Sequence, residues 1–143
     1  MKSYKNLSAE QKRALLKLPV YISLLAATDN KLDEAERLSA IKLAYIRSFS
    51  CEPLLAEFYI AANREFENII NQLERDLPKQ STKREEAIKG ELLKLDKIIS
   101  KLGNDFNLAL KLSMKTFKEH VSHAHHSVIE DFLLPIPISG LTD

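Results

Sequence analysis

The chain has 143 residues, a single cysteine and a formal net charge of +1. A chain of this length buries roughly two thirds of its unfolded surface, so it needs neither a disulfide framework nor a structural metal to fold. No apolar run approaches the roughly 20 residues of a membrane span. We therefore expect one domain over residues 1–143, in a cytoplasmic protein with no membrane span.

Apolar residues recur at helical spacing along the chain, which has only three glycines and five prolines. The pattern predicts an all-α fold, a compact bundle of five to seven helices. A first helix opens at Ser8, with Gln11 completing a capping box, and Pro19 should kink or divide it. Its buried stripe is predicted to be Leu15, Leu18, Ile22 and Leu25.

The next two helices are separated by a polar break before Pro53. The second helix is predicted from about Asp33 to Phe49, and the third, which is longer, from about Pro53 to Leu77. One face of the second helix carries Leu38, Ile41, Tyr45 and Phe49. The aligned apolar residues of the third are Leu55, Phe58, Ala62, Phe66, Ile69, Leu73 and Leu77.

Two further helices complete the predicted bundle. Thr82 and Glu85 form a capping-box pattern at the start of the fourth, and Asn104 or Asp105 can cap the last. The stripe of the fourth helix is Ile88, Leu92, Leu95, Ile99 and Leu102. The last helix is predicted to bury Phe106, Leu110, Met114, Phe117, Val121, Ala124 and Val128.

An extended apolar tail is predicted from about residue 134, within the segment FLLPIPISGLTD. Pro135 and Pro137 cannot continue a helix. Burying each aliphatic side chain of this segment is worth roughly 1.5 to 3 kcal/mol, so we do not expect the tail to remain exposed to solvent. The tail should either fold back and plug a groove of its own bundle or dock on a second copy or a partner.

The stretch ATDNKLDEAE raises the question of whether its carboxylates hold a metal or start a helix. An EF-hand loop beginning at Asp29 is excluded, because its third, sixth and twelfth positions lack the required ligand, glycine and glutamate. On the residues alone, Asp33 caps the second helix and Glu36 returns the bond of a capping box. That interpretation leaves Asp29 without a role.

The surrounding sequence LLAATDNKLDEAERLSAIKLAYIRSF resembles the signature of the TerB-like family, small helical proteins named for bacterial tellurite resistance. The resemblance lies mainly over residues 15–49. The matching residues are Ala26, Ala27, Asp29, Lys31, Leu32 and Glu36. Asn30 stands where the family usually has glycine, and asparagine also tolerates left-handed backbone.

The resemblance implies an all-helical module linked to stress response and assembly rather than to catalysis. It also implies a divalent-cation site at the first helix junction, with Asp29 and Glu36 at the matching positions and Asp33 as a neighbouring oxygen source. Such carboxylates suit calcium or magnesium. We expect a non-enzymatic binding or assembly module whose partner is an unknown protein or a second copy of the chain.

A second candidate metal site lies in KEHVSHAHHSVIE, which holds all four histidines. Helical spacing places one possible ligand set, which would suit zinc, on a single stripe: Glu119, His123, His126 and Glu130. The same spacing turns this stripe away from the buried row and toward solvent. The alternatives are a metal-dependent enzyme that uses the cluster and an ordinary polar surface.

Two other functional classes have weaker support. Basic residues outnumber acidic ones between Lys79 and Lys118, but the aromatic residues there, Phe106 and Phe117, occupy buried-stripe positions, which argues against a nucleic-acid surface. Cys51 lies where a helix is predicted to begin, and the helix dipole there could lower the pKa of its thiol. No histidine neighbours it in sequence, so thiol catalysis is not indicated.

Overall fold

The computed structural model describes residues 4–122, which form six α-helices and three short 3-10 turns. The helices are α1 (Ala9–Leu16), α2 (Leu18–Ala26), α3 (Glu34–Ser50), α4 (Ala56–Asp76), α5 (Ser81–Ile99) and α6 (Asn104–Ser122). No strand occurs within this range, so the predicted all-α bundle is confirmed. None of its helices is both long and apolar enough to cross a bilayer.

The predicted first helix is divided into α1 and α2. The Ser8 hydroxyl accepts a hydrogen bond from the Gln11 N–H, and the Gln11 side chain accepts one from the Ser8 N–H, both at 3.1 Å. The division falls at Lys17, and Pro19 lies in the first turn of α2, where its missing N–H costs nothing.

The central helix of the bundle is α2, which contacts α1, α4, α5 and α6. A helix enclosed by neighbours is buried on most of its circumference rather than along one stripe. The predicted stripe is therefore too narrow for α2. Its buried apolar residues include Leu18, Val20, Tyr21 and Leu24, while Ile22 and Leu25 are partly buried.

The aromatic core joins α4 to α6. Tyr59 and Phe66 of α4 stack on Phe117 of α6, with ring centroids 6.2 and 6.0 Å apart. The seven residues predicted for the stripe of the third helix are all buried. The residues of the last predicted stripe that lie in the described range are buried too, namely Phe106, Leu110, Met114, Phe117 and Val121.

The buried side of α3 is not the side that carries its large apolar residues. Its small residues Ala40 and Ala44 are fully buried, and the helix packs against α4 and α6. The large residues Leu38, Tyr45 and Phe49 are 56%, 59% and 69% exposed. Small side chains permit a short distance between helix axes. The larger apolar face of α3 is consequently turned outward.

The start of α5 also differs from its prediction. The helix begins at Ser81, and the preceding Gln80 makes no side-chain capping bond. The predicted capping box of Thr82 and Glu85 is therefore wrong. The hydroxyl of Ser81 accepts a hydrogen bond from Asn30 in the α2–α3 connection, so a tertiary contact stands at this helix start.

The C-terminal part of the predicted fold lies outside the described residues. This applies to Ala124 and Val128, predicted as buried, and to the extended tail from about residue 134. The single-domain assignment for residues 1–143 stays a prediction.

Candidate functional site

The connection between α2 and α3 is a left-handed turn. Residues Thr28–Asn30 form a 3-10 turn in which Asp29 and Asn30 both have a φ of 57°. Few side chains tolerate this region, but asparagine and aspartate are enriched there. The prediction that Asn30 tolerates left-handed backbone is confirmed, and Asp29 shares the same conformation.

The start of α3 is the reciprocal capping box predicted from its residues. The Oδ1 atom of Asp33 accepts a hydrogen bond from the Glu36 N–H at 2.8 Å, and the Oε1 atom of Glu36 accepts one from the Asp33 N–H at 2.9 Å. Glu36 is only 4% exposed, whereas Asp29 and Asp33 are exposed. Two of the three predicted metal ligands therefore bind backbone N–H groups.

The predicted ligands Asp29, Asp33 and Glu36 do not form a metal-binding group in this conformation. Across residues 4–122, no three His, Cys, Asp or Glu side chains come together in a way that could hold a metal ion. The capping box directs Asp33 and Glu36 toward the first turn of α3, while Asp29 belongs to the preceding turn. Calcium or magnesium at this junction stays a prediction that requires these carboxylates to rearrange.

A buried arginine lies on the inner side of the junction. The side chain of Arg84, on α5, is 1% exposed, and its Nε donates to the carbonyl oxygen of Asn30 at 2.8 Å. Its Nη1 donates to the carbonyl oxygen of Pro78 at 3.3 Å. Asn30 in turn donates from Nδ2 to the carbonyl and hydroxyl oxygens of Ser81, at 3.3 and 3.2 Å. Hydrogen bonds in both directions thus connect the junction to α5.

The charge of Arg84 affects how a cation could reach the junction. Burial lowers the pKa of its guanidinium from the ordinary value, while the negative charge of Glu74 raises it. Arginine has so high an ordinary pKa that it remains protonated in proteins. A fixed positive charge on the inner side repels a second cation. A divalent cation would therefore have to approach from the outer side, where Asp29 is exposed.

Arg84 is not among the site residues predicted from the sequence. The available signal is its register, because it precedes Ile88 by four residues and Leu95 by eleven on the buried stripe of α5. A charged residue on a buried stripe needs polar partners. Pro78 lies only six residues before Arg84, but Asn30 lies 54 residues away along the chain, so this second partner is not readable from local pattern.

A cleft of about 330 Å³ lies between the end of α3 and α6. Arg47 donates from Nη2 to the Thr116 hydroxyl at 3.4 Å, and its Nε is buried with no hydrogen-bond partner among the described residues. Burial raises the pKa of Tyr59 to about 12, so its hydroxyl stays neutral and hydrogen-bonds to that of Ser113. These polar groups join α3 and α4 to α6.

Cys51 lines the same cleft, at the C-terminal cap of α3. Burial raises the pKa of its thiol and outweighs the opposite effect of the Arg47 charge. This direction is opposite to the lowering that a helix dipole could cause at the start of a helix. A thiol that stays protonated at neutral pH is a weak nucleophile, which argues against catalysis by Cys51.

The second predicted metal group falls largely outside the described residues. Glu119 is exposed on α6, whereas His123, His126 and Glu130 lie beyond Ser122. Zinc binding by this group, and a metal-dependent enzyme built on it, stay predictions.

Comparison with known proteins adds no assignment. The sequence matches no family model and no curated protein, and the fold matches no solved structure. The resemblance to TerB-like proteins consequently depends on the junction residues from Ala26 to Glu36.

The capping role of Asp33 can be measured without any metal. We expect Asp33→Ala to lower the free energy of unfolding by about 1 kcal/mol in the presence of a chelator, because the Glu36 N–H loses its acceptor. Asp33→Asn keeps an acceptor oxygen and should remain near wild type. Urea denaturation followed by circular dichroism measures both variants. Equal stability of Asp33→Ala and wild type would show that the capping bond does not stabilise the protein.

Removing the hydrogen bonds of Arg84 should destabilise the protein more than removing the Asp33 cap does. Arg84→Met keeps an unbranched side chain but leaves the Asn30 carbonyl without its donor, so we expect a loss of about 1 to 3 kcal/mol. The exposed neighbour Lys83 provides the control, since Lys83→Met should change stability by less than about 0.5 kcal/mol. Urea denaturation gives the free energies, and amide hydrogen exchange should accelerate at the start of α3. Similar results for the two variants would contradict a structural role for Arg84.

Proposed function

We propose that this chain is a non-enzymatic, TerB-like binding and assembly module that contacts a protein partner through α3. One observation carries the proposal, the outward position of Leu38, Tyr45 and Phe49, hereafter the α3 face. These residues are seven and four positions apart, which places them on one side of the helix. They form one stripe rather than three unrelated exposed side chains.

The chemistry of the α3 face suits protein recognition. The rings of Tyr45 and Phe49 meet edge to face, with centroids 5.3 Å apart. Aromatic residues supply large contact area with few rotatable bonds, and they are enriched in the centres of protein interfaces. Lys42 lies between them on the same side of α3 and is exposed, so the face combines apolar area with a positive charge.

Folding gives no reason for the α3 face to be apolar. The helix meets α4 and α6 through the side that carries Ala40 and Ala44, so Leu38, Tyr45 and Phe49 contribute little to the core. Scattered exposed apolar residues are ordinary, but a contiguous apolar stripe is typical of an interaction site. Contact with a partner accounts for these side chains.

The junction supports the family part of the proposal. Asp29 and Asn30 adopt the left-handed backbone that an Asp-Gly pair would adopt at this position. The matching residues then lead directly into α3, which carries the proposed contact surface. A place in the bacterial stress response linked to tellurite resistance follows only from the resemblance and belongs to the same proposal.

A divalent cation on the outer side of the junction is the second part of the proposal. A cation held by Asp29 and Glu36, for which the Glu36 carboxylate has to leave the capping box, would link the turn after α2 to the first turn of α3. Such a link would fix the direction of α3 and hence of the α3 face. The exposure of Asp29 and the oxygen chemistry of the carboxylates support calcium or magnesium as the ion.

Site-specific photo-crosslinking in cells tests the proposed contact surface. A photoreactive phenylalanine derivative placed at Tyr45, or at Phe49, should produce a discrete crosslinked species. The same group at Lys97, which is exposed on α5, should not. Mass spectrometry of the product identifies the partner, and a product of twice the chain mass identifies a second copy.

Two further variants separate binding from folding. Tyr45→Ser combined with Phe49→Ser should keep the wild-type stability within about 0.5 kcal/mol, because both residues are exposed. The double variant should nevertheless lose crosslinking from a probe placed at Leu38. The same products from positions 38, 45, 49 and 97 would contradict recognition through the α3 face.

Thermal denaturation with added calcium or magnesium tests the cation site. A ligand that binds only the folded state at 100 times its Kd adds about 2.7 kcal/mol of stability, so we expect wild type to melt at a higher temperature. Asp29→Ala should lose this gain. Glu34→Ala, which removes an exposed carboxylate from the same segment, should keep it. Equal gains in all three proteins would remove the junction cation and leave the α3 face unaffected.

A further inference from the structure

An apolar groove of about 460 Å³ lies between α5 and α6, with α2 beneath it. Its apolar lining consists of Leu18, Ile22, Leu92, Leu93, Ile99 and Met114. Leu93 is 70% exposed at the edge of the groove. An ion pair between Lys111 and Asp96, at 3.0 Å, crosses from α6 to α5. The groove is on a different group of helices from the α3 face.

The α6 side of the groove is basic. Lys111, Lys115 and Lys118 lie along it. Lys111 is paired with Asp96, but no carboxylate in the described part of the chain lies within 4 Å of the amino group of Lys115 or Lys118. The groove therefore combines an apolar floor with two amino groups on one edge, which suits an apolar segment that carries acidic residues.

The chain itself contains a segment of that chemistry after Ser122. Residues 123–143 have no lysine or arginine, and the acidic pair Glu130 and Asp131 directly precedes the apolar run FLLPIPI. We propose that residues 132–138 dock in this groove of the same molecule, with Glu130 and Asp131 beside Lys115 and Lys118. The tail thus folds back on its own bundle, which is one of the two outcomes expected from the sequence, and it covers this groove.

The length of the chain permits this path. Nine residues lie between Ser122 and Phe132, so the ten steps from one Cα atom to the other can span up to about 33 Å when extended. Lys111 precedes Ser122 by eleven residues of α6, or about 16 Å along the helix axis. The tail can then return along the whole basic edge. This path replaces the predicted continuation of the last helix to Val128, because residues 123–131 have to be extended for Glu130 and Asp131 to reach Lys115 and Lys118. A tether of this length maintains an effective concentration in the millimolar range, which favours the groove of the same molecule over that of a second copy.

The two prolines also suit an apolar groove. Pro135 and Pro137 have no backbone N–H, so fewer donors lose hydration when the segment is covered. A proline ring also restricts φ in any conformation of the chain, which lowers the conformational entropy lost on docking.

Disulfide trapping in the full-length chain tests the proposal. With Cys51→Ser as background, Leu93→Cys is combined with Ile136→Cys, and the control combines Leu38→Cys with Ile136→Cys. Both surface positions are exposed, at 70% and 56%. We expect the intramolecular disulfide to form at least about tenfold faster at the groove than on α3, because docking raises the local concentration of the tail thiol. Gel mobility and intact-mass analysis measure the rates.

Two results would overturn the proposal. Equal rates for the two pairs would mean that the tail does not prefer the groove. A disulfide-linked dimer formed only by the Leu93→Cys pair would place the tail on a second copy instead.

Charge-reversal variants test the basic edge separately. Lys115→Glu with Lys118→Glu should slow trapping at Leu93→Cys by about tenfold, because the added carboxylates repel Glu130 and Asp131. Arg64→Glu with Lys83→Glu makes the same change in net charge at exposed sites on α4 and α5 and should leave the rate unchanged. Circular dichroism melts verify that both double variants fold. The same rate in both would contradict the proposed placement of the acidic pair.

Discussion

The buried guanidinium of Arg84 is the interaction on which the arrangement of the helix junctions depends. It donates to Asn30 in the α2–α3 turn and to Pro78 in the α4–α5 connection. A carbonyl in a turn lacks the partner that a helix would provide, and leaving it buried without a donor costs about 1 to 3 kcal/mol. One side chain therefore donates a hydrogen bond to a carbonyl oxygen in each of two helix connections. Because Asn30 donates back to Ser81, α5 and the junction before α3 constrain each other.

The position of α3 after this junction determines which of its two apolar surfaces is available. The alanine surface lies inside and the α3 face lies outside, although the outer residues are the larger ones. Close packing of α3 on α4 and α6 favours small side chains at the contact. The same arrangement leaves Leu38, Tyr45 and Phe49 exposed on the outer side of the helix. The proposed contact with a partner uses these side chains.

The acidic residues at the junction cap α3 in the structure, and cation binding is a second role that we propose for them. Asp33 and Glu36 stabilise the first turn of α3 through reciprocal bonds, while the nearby cation is the side chain of Arg84. Asp29 takes no part in the capping box, so its substitution tests the proposed cation site without removing the cap.

The sequence by itself determined the helical class, the capping boxes at Ser8 and Asp33, and the buried stripe of α4. Each of these depends on residues within one or a few helical turns, so the spacing contains the necessary information. The tertiary structure decided which face of α3 is buried, why Thr82 does not cap α5, and what Arg84 contacts. The partners of Asn30 lie 51 and 54 residues away along the chain. Such contacts arise only when distant segments pack together, because periodicity specifies which residues share a face but not which neighbour will cover it.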